Sequence, residues 1–194
     1  MVIRFGRKTG NYPEFSSFHN TIVAYDGLVF GNSEAPFQAM KTTDLDVRKS
    51  FTNLSGSKAK RLGRQIKLRP DWEEVKFDIM VDILIAKFSQ NKALADLLIS
   101  TGDAWIVENT TGWHDNVWGA CNCNKCREEK ISTNYLGLGL MITRAKLQGL
   151  DKCICSVDIK GEVFTIDLFD DATRSFMKTS DGMVTFDKIN RYAK

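Results

Sequence analysis

Apolar and polar positions change period several times along the chain, and each change predicts an element. Residues 1–20 hold no sustained period: Glu14-Phe15-Ser16-Ser17-Phe18-His19-Asn20 mixes aromatic with small polar side chains, which suits a loop anchored on a core or packed against a pocket. Thr21-Ile22-Val23-Ala24-Tyr25 and Leu28-Val29-Phe30 are β-prone runs around Asp26-Gly27, a pair fitted to the positive-φ positions of a type I′ turn, so a hairpin is expected. Ser33 then reads as a helix N-cap, and Pro36 is tolerated in the first turn, where its missing N–H has no intrahelical partner. Helical spacing places Glu34, Gln38 and Lys41 on one face and turns Phe37 and Met40 toward a core.

Residues 44–67 read as helix in pieces, charged from Asp46, broken at Asn53-Leu54-Ser55-Gly56 and restarted with Ser57 as the cap of 58–67. Asp71 is the expected cap of the strongest helix, 72–88, where Val75, Ile79, Val81, Ile83, Leu84 and Phe88 are dense enough for a largely buried element. A shorter helix over 91–99 ends at Gly102, which can take the left-handed position. Trp105-Ile106-Val107-Glu108-Asn109 predicts a strand, followed by a glycine-, aromatic- and cysteine-containing loop through Ser132. Thr133-Asn134 caps a last core helix in which Leu136, Leu140, Ile142 and Leu147 are buried and Gly137 and Gly139 allow close backbone approach. Beyond Gly149, alternation on both sides of Lys160-Gly161 predicts a second hairpin. The fold class is mainly α, an α-rich α+β domain over 1–150, with 151–194 as a C-terminal extension packed on it.

Composition narrows this picture little. At 194 residues, 43% hydrophobic and 26% charged, the chain can bury a full core. A net charge of +3 is too small to argue for nucleic acid, and only the stretch from Lys58 to Arg69 is concentrated enough for a phosphate contact, with a solvated helix face as the alternative. No run reaches the roughly 18 apolar residues of a membrane span, and Met-Val-Ile-Arg-Phe-Gly-Arg-Lys lacks the apolar core of a signal peptide. With five cysteines and no such signal, reduced thiols in a cytoplasm are expected.

Candidate chemistry lies in three acids that stand beside aromatic, glycine or amide neighbours: Glu34, Glu108 and Asp115. A carboxylate at a helix N-terminus is stabilised as the anion by roughly 0.3–1 kcal/mol, which suits a base or an oxocarbenium stabiliser. Paired carboxylates flanking a glycosidic carbon are the recurring arrangement for glycoside cleavage, although acids in loops are commonly only caps. Likewise, spacing alone reads Glu34, Gln38 and Lys41 as a solvated stripe. Trp72, Trp105, Trp113 and Trp118 supply stacking surface worth about 1–3 kcal/mol per base; Trp72 is as readily core, and Trp118 looks the more exposed. Cys121, Cys123 and Cys126 have C-x-C-x-x-C spacing, with His114 upstream and Cys153 and Cys155 downstream. They read either as a structural zinc set or as unligated thiols.

The order of motifs is more specific than any one of them. Ser33-Glu34-x-x-Phe37-Gln38-Ala39-x-Lys41 is followed by Leu62-Gly63-Arg64 and Asp71-Trp72-x-x-Val75-Lys76-x-x-x-Met80. Ala86-Lys87-Phe88-x-Gln90-Asn91, Leu97-Leu98-x-x-Thr101-Gly102, Val107-Glu108, Asp115-x-x-Trp118-Gly119 and Asn134-x-Leu136-Gly137-x-x-Leu140-Met141-x-x-Arg144 come after. Over about residues 12 to 148 this series resembles the YbiA-like, or NADAR, family. The resemblance implies a hydrolase of N-glycosidic bonds to ribose, acting on phosphorylated riboflavin-pathway intermediates or on ADP-ribosylated guanine. It implies catalytic roles for Glu34, Lys41 and Asp115. Phe18, Gln38, Arg64, Trp72, Glu108, Trp118, Gly119, Asn134 and Gly137 would bind substrate. No cofactor is required, and the expected partner is a small nucleotide-like substrate or ADP-ribosylated nucleic acid, not a membrane. A non-catalytic module binding ADP-ribose, NAD or nucleic acid is the rival. Ala35 and Pro36 replace residues that are often aromatic or histidine in the family, and Ser16-Ser17-Phe18 stands for its Ser-Asn-Phe.

Overall fold

A computed structural model of the chain describes residues 1–6, 10–129, 132–159 and 162–170. In chain order its elements are β1 (Val2–Phe5), a 3-10 turn (Pro13–Phe15), β2 (Val23–Tyr25), β3 (Leu28–Phe30), α1 (Glu34–Ala39), α2 (Leu45–Lys49) and α3 (Gly56–Leu62). Then follow α4 (Trp72–Ser89), α5 (Lys92–Ser100), β4 (Trp105–Glu108), α6 (Asn124–Glu129), α7 (Tyr135–Leu147), β5 (Ile154–Ile159) and β6 (Glu162–Asp167). Helix dominates among the described residues, and no described helix is long and apolar enough to cross a membrane. The chain divides into two compact units, a continuous one over Pro13–Leu98 and a second formed by Met1–Tyr12 with Ile99–Lys194.

In the continuous unit, β2 and β3 form the expected hairpin, with Tyr25 opposite Leu28 and positive φ at both Asp26 (50°) and Gly27 (73°). Gln90 fastens it to the end of α4: its side-chain oxygen accepts from Ala24 N–H and its amide donates to Ala24 O, each at 2.8 Å. Asn91 adds bonds to the carbonyls of Ile22 and Lys87. The α4 helix is buried on most sides through Phe77, Met80, Val81, Ile83, Leu84 and Phe88, as its apolar density requires.

Three expected caps work differently. Ser33 sits at the N-cap of α1 without a side-chain cap bond and donates instead to Ser17 O; Asn32 Oδ1 accepts from Ala35 N–H and Ser17 O accepts from Glu34 N–H. Asp71 precedes α4, but its carboxylate is taken by Arg69 at 2.6 and 2.8 Å, and this pairing lowers its pKa. Ser57 lies inside α3, which begins at Gly56 after Ser55 and stops at Leu62, well short of residue 67. Asp44, by contrast, caps α2 through Oδ1, which accepts from Asp46 and Val47 N–H.

The discontinuous unit contains a strand absent from the sequence expectation. β1 pairs in parallel with β4, Val2 opposite Trp105 through Phe5 opposite Glu108. Ile3 and Phe5 are buried while Val2 and Arg4 face out, an alternation of only four residues whose partner lies about a hundred positions away. α7 packs on β4 and is buried from Tyr135 to Ala145; Leu147, expected in the core, is only partly buried at its end. Arg144 is buried with it and donates to Thr101 Oγ1 (2.7 Å) and Ala104 O (2.9 Å), closing the turn that leads into β4. α6 is a further helix inside what the sequence suggests is continuous loop. β5 and β6 pair antiparallel, Ile159 opposite Glu162; the expected turn at Lys160-Gly161 lies outside the described residues.

Candidate active site

The Glu34 row is not a solvated stripe. Glu34 and Gln38 are 5% and 4% exposed, and Gln38 Nε2 donates to Glu34 Oε1 at 2.8 Å. The amide hydrogen bond fixes the orientation of the Glu34 carboxyl group in a setting shielded from bulk water. α1 ends at Ala39, with Lys41 beyond it on a tighter turn in which Lys41 N–H reaches Gln38 O at 3.3 Å. The half-buried ammonium donates to Gly63 O (3.3 Å) and stands 5.8 Å from the centre of the Trp72 ring. Desolvation lowers the Lys41 pKa, Glu34 acts in the opposite sense, and the cations Lys60 and Arg64 lower it further.

Gly63 fits this group by its lack of a side chain. A Cβ there would fall 2.0 Å from Gln38 Oε1, and that oxygen has no hydrogen-bond partner among the described residues. Trp72 is buried and packs at 5.2 Å, tilted, on Phe37; the indole is thus core on one side and presents its ring toward Lys41. Arg64 is exposed. Phe18, 42% exposed, covers Gly56 and carries Lys60 over its ring at 5.8 Å. Glu34, Gln38, Lys41 and Trp72 are therefore one group, with Arg64 and Phe18 at the margins of the same unit.

The candidates of the other unit form a second group. Asn134 adopts a left-handed conformation (φ 49°) and does not cap α7; its side chain bridges β4 instead, Nδ2 donating to Ile106 O (2.9 Å) and Oδ1 accepting from Glu108 N–H (3.1 Å). Gly137 makes this possible, since a Cβ would fall 2.1 Å from Ile106 O. Gly119 similarly lies against Glu108, with its imagined Cβ 2.7 Å from the Glu108 carbonyl oxygen. Asp115 Oδ1 accepts from Val117 N–H (3.1 Å) and Trp118 N–H (2.9 Å), the capping role loop acids commonly have. Trp118 is only partly exposed and meets Tyr135 edge to face at 5.8 Å; Trp113, 42% exposed, is the open tryptophan of this loop.

Nδ1 of His114 lies 3.3 Å from Cys121 Sγ and 3.5 Å from Cys123 and Cys126 Sγ, so this group of one histidine and three cysteines could hold a metal ion. The sequence also hides Lys87. It is completely buried in α4 and its ammonium donates to Glu14 O (2.6 Å) and Ser16 O (2.9 Å), anchoring the Pro13–Phe15 turn and the residues that lead to Phe18. Burial pushes its pKa down to about 7. In sequence Lys87 stands only as part of the Ala86-Lys87-Phe88 motif; its burial and its two carbonyl partners are seen only in the structure.

Over 149 residues the chain is 35% identical to N-glycosidase YbiA of Escherichia coli K12, covering 75% of this chain and 88% of that one. The NMR structure of E. coli YbiA matches with a TM-score of 0.63 and 34% identity, over 76% of this chain and 84% of that structure. A protein named riboflavin biosynthesis protein VVA0006, of Vibrio vulnificus, is 29% identical over 75% of this chain but only 38% of its own length. The fold and these relatives define an enzyme of the N-glycosidase class. The NADAR domain model matches residues 4–148, and the chain belongs to that family.

Proposed function

We propose that the protein hydrolyses the N-glycosidic bond between ribose and a nitrogen base or amine in a phosphorylated, nucleotide-like substrate, either an ADP-ribosylated guanine or a riboflavin-pathway intermediate. The observation that carries this reading is the buried Glu34–Gln38 pair beside the half-buried Lys41 and the face of Trp72. As the C1′–N bond lengthens, positive charge develops at C1′, and a preorganised carboxylate opposes it at no reorganisation cost. Water then adds to C1′ and a proton passes to the departing nitrogen. The Lys41 ammonium, already drawn toward Gly63 O, is suited to a ribose hydroxyl or phosphate.

A second reading is favoured by the desolvation that lowers the Lys41 pKa: a neutral amine displaces the base at C1′ and gives it a proton, the C1′–O4′ bond then opens to leave an imine on Lys41 and a hydroxyl on O4′, and water hydrolyses that imine. The family resemblance adds a catalytic role for Asp115 and substrate-binding roles for Glu108, Trp118, Gly119, Asn134 and Gly137. The test is to incubate the protein with ADP-ribosylated guanosine nucleic acid and, separately, with phosphorylated riboflavin-pathway intermediates, and to measure released base or sugar. Glu34→Gln should abolish release while leaving the fold intact, and a fully active variant would sink the assignment. Borohydride should trap a substrate adduct on Lys41 only if the imine forms. A protein that binds ADP-ribose and turns over none of these substrates is the non-catalytic module.

A further inference from the structure

We propose that His114, Cys121, Cys123 and Cys126 bind one zinc ion, and that this ion is the clasp of the loop carrying Asp115 and Trp118. The four ligand atoms all lie within 4.8 Å of one another, and it is Nδ1 of the imidazole that faces the three sulfurs. A tetrahedral zinc with Zn–S near 2.3 Å and Zn–N near 2.0–2.1 Å requires N···S edges of about 3.6 Å. The three edges present are 3.3, 3.5 and 3.5 Å. Three unrelated thiols collecting around one ring nitrogen by packing alone would have no reason to meet this spacing. The donor set is soft, which selects zinc over magnesium or calcium, and four protein ligands close the site, which makes it structural rather than catalytic.

The surroundings supply what thiolate ligands need. Cys126 N–H donates to Cys123 Sγ at 3.4 Å, placing a backbone dipole on a sulfur that carries charge when metal-bound. Asn116 Oδ1 accepts from Cys121 N–H at 3.0 Å, and Asn122 N–H donates to Thr111 Oγ1 at 2.9 Å, so the chain is held at Cys121 and just after it. His114 takes a left-handed backbone conformation (φ 56°), a cost that aims its ring at the sulfurs.

The loop explains why a clasp belongs there. Residues 116–118 pair with the approach to α7 through Thr133 N–H to Asn116 O, Tyr135 N–H to Val117 O and Leu136 N–H to Trp118 O. Cys121, Cys123 and Cys126 lie in the connection between these two paired stretches, and His114 lies just before the first. A metal therefore closes the loop at its open end.

Metal content of protein purified without added metal should be about one zinc per chain. Cobalt(II) titrated into the metal-free, reduced protein should give the visible bands of tetrahedral cobalt with sulfur-to-metal charge transfer. Cys123→Ser and Cys126→Ser should each weaken cobalt binding by at least about tenfold, whereas Cys153→Ser should leave it unchanged. Chelation should accelerate tryptic cleavage at Lys125. The proposal is overturned if zinc is far below one equivalent and cobalt gives no such bands. It is equally overturned if the purified protein contains a disulfide among these cysteines in place of metal, or if Cys153→Ser weakens cobalt binding as much as Cys123→Ser does. None of these readouts depends on the glycosidase reading.

Discussion

Gly63→Ala tests how tightly the Glu34 carboxylate is held. Gly63 has ordinary helical torsions (φ −63°, ψ −10°), so alanine brings no backbone strain and the substitution isolates one added carbon. That carbon would stand 2.0 Å from Gln38 Oε1, 2.8 Å from its Cδ and 3.0 Å from its Cβ. A Cβ carbon does not sit within 3 Å of such atoms, so the Gln38 side chain must shift, and the shift draws its amide away from Glu34 Oε1. A hydrogen bond to a charged group contributes about 1.5–3 kcal/mol. For a chain of this size each kcal/mol is worth about 2–4 °C, so Tm should fall by roughly 3–12 °C. Base release should fall as well, because the carboxylate loses its orienting donor. Thermal unfolding and the release assay read both effects. Gly31→Ala is the control: its Cβ meets nothing within 4 Å, and it should stay within about 0.5 kcal/mol of the parent. A Gly63→Ala protein with unchanged Tm and full activity would refute the packing argument.

Two further outcomes concern stability. Asn134→Ala removes the partners of Ile106 O and Glu108 N–H at about 1–3 kcal/mol each and leaves alanine at φ 49°, so urea unfolding should show a loss of at least about 3 kcal/mol, of which Asn134→Gly recovers roughly 1. Lys87 has a folded-state pKa of about 7, below the 10.5 of a free lysine side chain. Between these values the unfolded chain binds the extra proton, so the Lys87 contribution should become more favourable as pH rises from about 7 to 10, and it should be flat and unfavourable below 7. The stability difference between the parent and Lys87→Met, followed by urea titration at several pH values, should therefore grow in the parent's favour with pH; a difference independent of pH would contradict the assignment.

Local chemistry was the legible part of this chain. Asp26-Gly27 demands two positive φ values whatever surrounds it, and the apolar density of 72–88 can only be buried, so both elements could be read without tertiary knowledge. Caps were legible as positions but not as bonds: Ser33 and Asp71 stand where expected, yet Ser17 and Arg69, which have no helical relation to them, take their side chains. β1 was invisible because four alternating residues carry little signal and their partner is remote. In the candidate site, spacing put Glu34 and Gln38 together, but burial separates a poised carboxylate from a surface stripe, and burial is not a property of spacing. The cysteine cluster showed its three sulfurs in sequence, while the turn at His114 that brings in the nitrogen depends on a backbone conformation no residue type announces.

The pairing of β1 with β4 sets a timetable for synthesis. Residues Pro13–Leu98 are continuous, so that unit can collapse as soon as it leaves the ribosome. Val2–Phe5 must wait for Trp105–Glu108, an interval of about a hundred residues, or roughly 5–20 s at ordinary elongation rates. During that interval the nascent chain carries an unpaired strand edge. It is a short one, with Arg4 on its outward face, which limits what it can recruit before its own partner arrives.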